Sequence, residues 1–314
     1  MTKEREMLNR IIDNGITLKS DFVFKKIFSE NEKLLISLLK AILNINITKI
    51  EIVKDFALDK LTEDEKGGVL DIKATVDNNL IVNIEMQVAP VDMKNRSSYY
   101  ASRLTSSSIK AGEEYEKLKD VICISILDYI MFKEEEATNF ISDTVFNIRQ
   151  TNLEGKEIFL REMEIGNKHV FIELPKFRKI AHDLDNELHK WLLMIDCKDY
   201  REMEKVMRTD EEFEKAVEEL GLLINDERVM RAYDARQDAI RNEKYRLKKA
   251  RTEGKEEGIE IGVERGIEIG RKEGEIKTKI EALKEMLSSE LSIKQICKML
   301  NISEEELETF KKSI

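Results

Sequence analysis

The segment Leu70 to Gln87, LDIKATVDNNLIVNIEMQ, constrains the fold more than any other stretch of the chain. Leu70, Ile72, Ala74 and Val76 alternate with Asp71, Lys73 and Thr75, and then Leu80, Val82, Ile84 and Met86 alternate with Ile81, Asn83, Glu85 and Gln87. Side chains on a strand point alternately to opposite faces, so this period of two around Asp77-Asn78-Asn79 predicts an antiparallel hairpin with one apolar face. For the apolar faces of both strands to coincide, paired residue numbers must add to an even number. A three-residue turn sets that sum at 156 and puts Asp71 directly opposite Glu85. Like charges so placed, with Cβ atoms roughly 4.5–5.5 Å apart, are destabilising, so something positive must sit between them. Two candidates fit. One is Lys73 on the same face, together with solvent. The other is a hard divalent cation held by both carboxylates, with Gln87 two residues along the same face. Such an ion needs few protein ligands and keeps waters, one of which can become the nucleophile on a phosphodiester.

The net charge of the chain is −10, which excludes a protein whose whole surface coats nucleic acid. Contact with a polyanion must therefore rest on a local patch or on a metal ion. Such a patch follows Pro90: MKNRSSYYASRLTSSSIK carries Lys94, Arg96, Arg103 and Lys110 and no acidic residue. A helix is predicted over Asn95 to Lys110. On it Arg96, Tyr99 or Tyr100, Arg103 and Lys110 recur at helical spacing, giving one face with phosphate contacts and an aromatic ring. The plainer reading is that Tyr100, Leu104 and Ala111 pack on a sheet while the charges are solvated, and the two readings are compatible.

Around this centre the pattern is helix, strand, hairpin, helix, buried strand. Ser20 or Asp21 caps a helix beginning FVFKKIF, Glu32 to Leu43 forms a second helix, and ITKIEIV (47–53) reads as a strand. A loop with Gly67-Gly68 leads into the hairpin. VICISIL (121–127) is a continuous apolar run suited to a central strand. The order describes a compact α/β unit with a mixed sheet. A second β-rich piece follows, TVFNIRQ (144–150), EIFLREMEI (157–165) and KHVFIEL (168–174), with turns at Gly155 and Gly166-Asn167. From about Lys179 the pattern is helical.

Several ordered motifs together resemble a known family. SDFVFKKIF (20–28), GGVLDIKA (67–74), NIEMQV (83–88), the NRSSYYASRL run, GEEYEKLKDVICISILDY (112–129) and ELPKF (173–177) are similar to the recombination-promoting nucleases, also described as PD-(D/E)XK nuclease family transposases, over roughly residues 17–200. The resemblance implies an α/β fold: a restriction-endonuclease-like mixed sheet core flanked by helices, followed by a mostly helical C-terminal region. It implies a divalent-metal-dependent DNA endonuclease using Mg2+ or another cation such as Mn2+ or Ca2+, with a role in mobile elements or phage defence. By position, Asp71 is the motif's Asp and Glu85 its (D/E), both metal-binding. The usual Lys falls at Gln87, whose neutral amide can orient a water or phosphate oxygen but cannot act as a charged electrophile or deprotonate water. Asp21 matches an early acidic position and adds a metal contact or caps its own helix. Arg96, Tyr100, Arg103 and Lys110 are the expected DNA-binding residues.

The implied organisation is a nuclease core over 1–178 with appended β-hairpin elements, a helical region over 179–250, a glycine repeat over 251–274 and a small helical tail over 275–314. The repeat, EGKEEGIEIGVERGIEIGRKEG, places glycine at 254, 258, 262, 266, 270 and 274. Spacing of four keeps these glycines nearly on one helix stripe, drifting about 40° per step. Against alanine, six glycines disfavour a lone helix by roughly 5 kcal/mol, so the stripe either packs on a partner or is a loose tether. The surrounding charges exclude a membrane helix pair. This makes a homo-oligomer formed through the tail a second expectation, and a catalytically weak regulatory or oligomerising protein the alternative function. LSIKQICKMLNISEEELETF predicts two short helices about Asn301-Ile302, with Ser303 as cap and Glu306 at its third helical position, and the acidic second helix suits packing rather than a DNA groove. His182, Asp185 and His189 fall on one face of a predicted helix, as transition-metal ligands or as solvated side chains, and His169 sits alone in a strand. Three distant cysteines, Cys123, Cys197 and Cys297, form neither a disulfide framework nor a zinc spacing. No signal-peptide core or membrane span is legible, and a soluble cytoplasmic protein with no membrane partner is expected.

Overall fold

The computed structural model describes residues 3–53, 57–58, 68–133, 139–151, 157–163, 166–289 and 291–312. The expected turns at Gly67 and Gly155 lie outside them. Among the described residues the elements are helices α1 (Lys3–Asp13), α2 (Asp21–Glu30) and α3 (Glu32–Leu43), then strands β1 (Ile50–Val53), β2 (Ala57–Leu58), β3 (Gly68–Val69), β4 (Ile72–Val76) and β5 (Leu80–Gln87). Helix α4 (Met93–Ser107) leads to β6 (Asp120–Leu127), β7 (Ile141–Asp143), β8 (Phe146–Thr151), β9 (Glu157–Met163) and β10 (Asn167–Glu173). The rest is helical: α5 (Leu174–Phe177), α6 (Glu187–Ile195), α7 (Tyr200–Met207), α8 (Glu211–Asn225), α9 (Glu227–Leu287), α10 (Ile293–Leu300) and α11 (Glu304–Lys311).

Parity places the hairpin as expected. Ile72 pairs with Ile84 and Val76 with Leu80. The turn uses left-handed backbone at Asp77 (φ 45°) and Asn78 (φ 64°), a conformation that short Asp and Asn side chains tolerate. Asp77 also ties the turn to the chain entering β1: its Oδ1 accepts from Thr48 Oγ1 (2.6 Å) and from the Lys49 N–H (2.8 Å). β1 is shorter than the ITKIEIV run, starting at Ile50.

The central sheet has the order β1-β4-β5-β6-β10-β7. β5, β6 and β10 run parallel, while β1, β4 and β7 are antiparallel to their neighbours. KHVFIEL therefore does not belong to a separate β piece. Val170 and Ile172 are buried with Ile124 and Ile126, so β10 completes the apolar face of the central sheet, while β8 and β9 pair with each other.

That apolar face, with Ile72, Ala74, Val82, Ile84 and Met86, packs on Leu8, Phe24, Phe28, Leu35, Trp191 and Phe213 from helices α1, α2, α3, α6 and α8. The Trp191 indole N–H donates to Ser37 Oγ (3.1 Å), and its ring lies 5.5 Å from Phe28 and 4.8 Å from Phe213. The opposite face is covered in part by α4, whose Tyr100, Ala101 and Leu104 pack on Leu70, Ile81, Val121 and Cys123. The hairpin is thus covered on both faces.

The chain divides into two compact units, Met1–Asp234 and Ala235–Ile314. In the second, Leu283 of α9 packs with Ile296, Cys297, Ile302 and Leu307 of α10, α11 and their connection. Asn301 is left-handed, and Ser303 and Glu306 form a reciprocal cap at 3.1 and 2.8 Å. The glycine repeat is helical throughout, and a Cβ added at any of its six glycines would meet no atom within 4 Å.

Candidate active site

Asp71 sits one position before the first β4–β5 pair, so the sum of 156 carries it to Glu85, and the contacts agree. The Asp71 N–H donates to Glu85 Oε1 (3.4 Å), and the Met86 N–H donates to Asp71 Oδ2 (3.1 Å). Glu85 is fully buried and Asp71 half-buried. Gln87 reaches back along β5 to donate from Nε2 to Glu85 Oε2 (3.3 Å). The three residues expected to carry chemistry therefore meet at the open end of the hairpin.

The positive side chain beside the pair is not Lys73. It is Arg96, on the first turn of α4, whose Nη2 lies 3.0 Å from Glu85 Oε2. Asp92 caps α4 by accepting from the Asn95 N–H, which points this turn at the hairpin. The guanidinium also stands over the Tyr100 ring, 5.2 Å from its centroid. Lys73 lies on the same sheet face but nearer Lys119 and Glu51. Burial, with the Lys119 charge, holds its ammonium below the usual lysine value.

Burial pushes both carboxyls above the ordinary carboxylate range. The charge of Asp21 adds to the rise at Asp71, and the charge of Asp71 adds to the rise at Glu85, while Arg96 opposes both. Asp21 itself is the first residue of α2, and its Oδ1 accepts from the Phe22 N–H (2.7 Å). Ser20 is the N-cap by position but makes no side-chain cap bond. The same helix brings Lys25, whose charge lowers the Asp71 carboxyl.

The donors suit a hard divalent cation. They are carboxylate oxygens, negatively charged in excess and partly withdrawn from water. Among the described residues no three His, Cys, Asp or Glu side chains form a ready cage. A Mg2+-like ion is bound through one or two carboxylates and retains its waters, which the pair Asp71 and Glu85 can satisfy.

The other expected contacts divide. Tyr100 is buried, so its ring is packing surface, as in the plainer reading of this helix. Arg103 lies partly exposed on α4, whereas Lys110 is past the end of that helix, which stops at Ser107, and so does not share its face. The backbone N–H of Lys110 donates to Glu113 (2.7 Å). The histidine triplet does not share a helix face, because α6 begins only at Glu187. His182 stacks on Phe177 (4.4 Å) and His189 Nδ1 accepts from the Asp183 N–H (3.0 Å), a loop-pinning arrangement. Burial pushes the Cys123 and Cys197 thiols up to about 12, which leaves neither a ready nucleophile.

Some residues near the site were not singled out by sequence. Ser125 is the β6 partner of Glu85, fully buried, a polar break in the apolar run VICISIL. Asp128 follows β6, its N–H donating to the Gln87 carbonyl (2.9 Å), and it joins Lys19, Arg178 and Asp196 in one ion cluster. In ELPKF, buried Glu173 accepts from the Met131 N–H (2.6 Å) and from Lys176 Nζ (2.5 Å), holding the loop after β6.

A family model described as PD-(D/E)XK nuclease family transposase matches residues 18–250, a span that includes the hairpin, α4 and the sheet. Searches of curated proteins and of solved structures return no match.

Proposed function

The chain belongs to the PD-(D/E)XK nuclease family transposases, and from that premise we propose that it is a divalent-metal-dependent DNA endonuclease. The observation that carries the reading is the juxtaposition of Asp71 and Glu85, two carboxyls held against each other in a largely buried site. The mixed sheet flanked by helices fits the restriction-endonuclease-like fold of that family.

Asp71 and Glu85 hold the cation, with Asp21 adding negative charge from α2. When bound, the cation polarises a phosphoryl oxygen and makes its water a nucleophile near neutral pH. Gln87 would orient that water or a phosphate oxygen through its amide; being neutral and non-basic it would not take the water's proton, which passes to solvent once a bound cation has made that water acidic. Arg103 and Lys110 bind the DNA backbone and Arg96 the phosphate at the site. Of the DNA contacts expected from sequence, Tyr100 is withdrawn from this reading because its ring is buried.

Purified chain incubated with plasmid and Mg2+ nicks or cuts it. Asp71→Ala loses more than the about 10- to 100-fold typical of removing an outer-shell partner of a metal. Equal activity in both proteins refutes the assignment.

A second reading concerns the tail. Ile259, Val263, Ile267 and Ile269 are exposed on a helix that also carries six glycines, a combination a solitary helix does not favour. Residues 251–314 then assemble with another copy of the chain and can control when the nuclease acts. Light scattering on the full chain and on the chain without 251–314 tests this, and an unchanged number of chains per particle refutes it.

A further inference from the structure

Arg96 engages Glu85 in an unusual way for an arginine. A guanidinium beside a carboxylate commonly pairs through two parallel N–H···O bonds, yet here Nη2 alone donates, and Nε is buried without a protein hydrogen bond. The other donors to Glu85 are longer: 3.3 Å from Gln87 to the same oxygen and 3.4 Å from the Asp71 N–H. Glu85 is fully buried, so without a counter-charge its ionised form is strongly disfavoured. Arg96 is thus the main neutraliser of Glu85, through a single contact.

The side chain of Arg96 is also placed to leave. A third of it is exposed (34%), against 0% for Glu85. Tyr100, one turn further along α4 and packed on the sheet, offers its ring face to the guanidinium and can keep hold of it when the contact to Glu85 is broken. A divalent ion on Glu85 would repel a guanidinium on the same oxygen and would itself supply the missing charge.

We infer that Arg96 and the divalent cation are alternative partners of Glu85: the guanidinium occupies the buried carboxylate until the cation displaces it, and the released Arg96, held at Tyr100, then receives the scissile phosphate. This rests on the reading of Asp71 and Glu85 as cation ligands. It also assigns a source for the positive charge that Gln87 lacks: the neighbouring helix provides it only once the cation is in place. The order of events follows, cation first and phosphodiester second.

Competition reduces apparent cation affinity by the fraction of molecules in which Glu85 is free, about tenfold if Arg96 occupies it nine times in ten. Mn2+ binding to the full chain without DNA, measured by calorimetry, reads this directly. Arg96→Gln is expected to bind Mn2+ about tenfold tighter than wild type, with Arg96→Lys near wild type. Wild-type binding with equal or weaker binding in Arg96→Gln overturns the inference and leaves the cation site standing. No binding by either protein overturns both. A second measurement does not depend on the folding of Arg96→Gln: in wild type labelled with 15N, the Arg96 Nε–H signal, identified by its loss in Arg96→Lys, shifts as Mg2+ is added. An unmoved signal at saturating Mg2+ overturns the displacement.

Discussion

Replacing Asp71 by Asn should make the cation-free protein more stable, although it destroys the proposed site. The amide keeps an oxygen to accept the Met86 N–H and removes only the charge. Two unit charges about 5 Å apart, at an effective dielectric of about 20, repel by roughly 3 kcal/mol. The substitution also forfeits the attraction of Arg96 and Lys25 for Asp71, which offsets part of this. A net gain of about 1–2 kcal/mol remains, or about 2–8 °C in melting temperature for a unit of this size. The sign of the pH dependence follows from burial, which raises both carboxyls in the folded state. A raised carboxyl favours folding below its unfolded pKa, and that advantage is lost as pH rises through the folded value. The advantage of Asp71→Asn should therefore be absent below about pH 4 and grow as pH rises above the ordinary carboxylate range. Thermal melts of both proteins with a chelator, from acid to slightly alkaline pH, measure it. Adding Mg2+ should then stabilise wild type and not the variant. An Asp71→Asn protein no more stable than wild type at slightly alkaline pH, where both carboxyls are ionised, with chelator present, refutes the claim that these carboxylates repel.

Gln87→Ala should lower the cleavage rate by about 10- to 100-fold while Mn2+ affinity measured by calorimetry stays within about threefold, since the amide orients the reactants instead of holding the ion. Arg178→Ala should cost about 2 kcal/mol in urea unfolding, less than a fully buried pair because the guanidinium is partly exposed. Burial pushes the Asp196 carboxyl up, but Arg178 and Lys19 outweigh it and hold that carboxyl below its usual value. The wild-type contribution is therefore present above the ordinary carboxylate pKa and lost as pH falls, and Arg178→Ala should flatten the acid limb of the stability curve. Trp191→Ala empties the centre of the aromatic cluster with Phe28 and Phe213 and should cost about 3–5 kcal/mol, read as a shifted urea midpoint.

What was legible in the sequence was periodic. The alternation in 70–87 was enough to place Asp71 against Glu85, because a strand has only two faces and burial decides which is which. The Ser303–Glu306 cap was equally local, a pair of side chains three residues apart. Errors arose where tertiary contacts decide. KHVFIEL looked like a separate β piece, and only packing beside Val121 to Leu127 draws it into the central sheet. The helix after Pro90 ends at Ser107 instead of Lys110, since Ser108 closes it by returning its N–H and hydroxyl to the Thr105 carbonyl. Arg96 was visible as a basic residue, but no sequence spacing discloses that its helix lies over Glu85.

The turn at Asp77 and Asn78 has a consequence for how such a chain can change length. It is pinned to Thr48 and Lys49 at one end of the hairpin, and the carboxyl pair closes the other. Between these two clamps an inserted or deleted single residue in β5 would exchange the two faces, sending Glu85 into the apolar layer packed on α2 and α3 and Ile84 onto the face that carries the site. Changes of two residues keep the phase. Natural variants of this protein that keep both carboxyls should therefore differ between the turn and the site by even numbers of residues, a rule that sequencing alone can check.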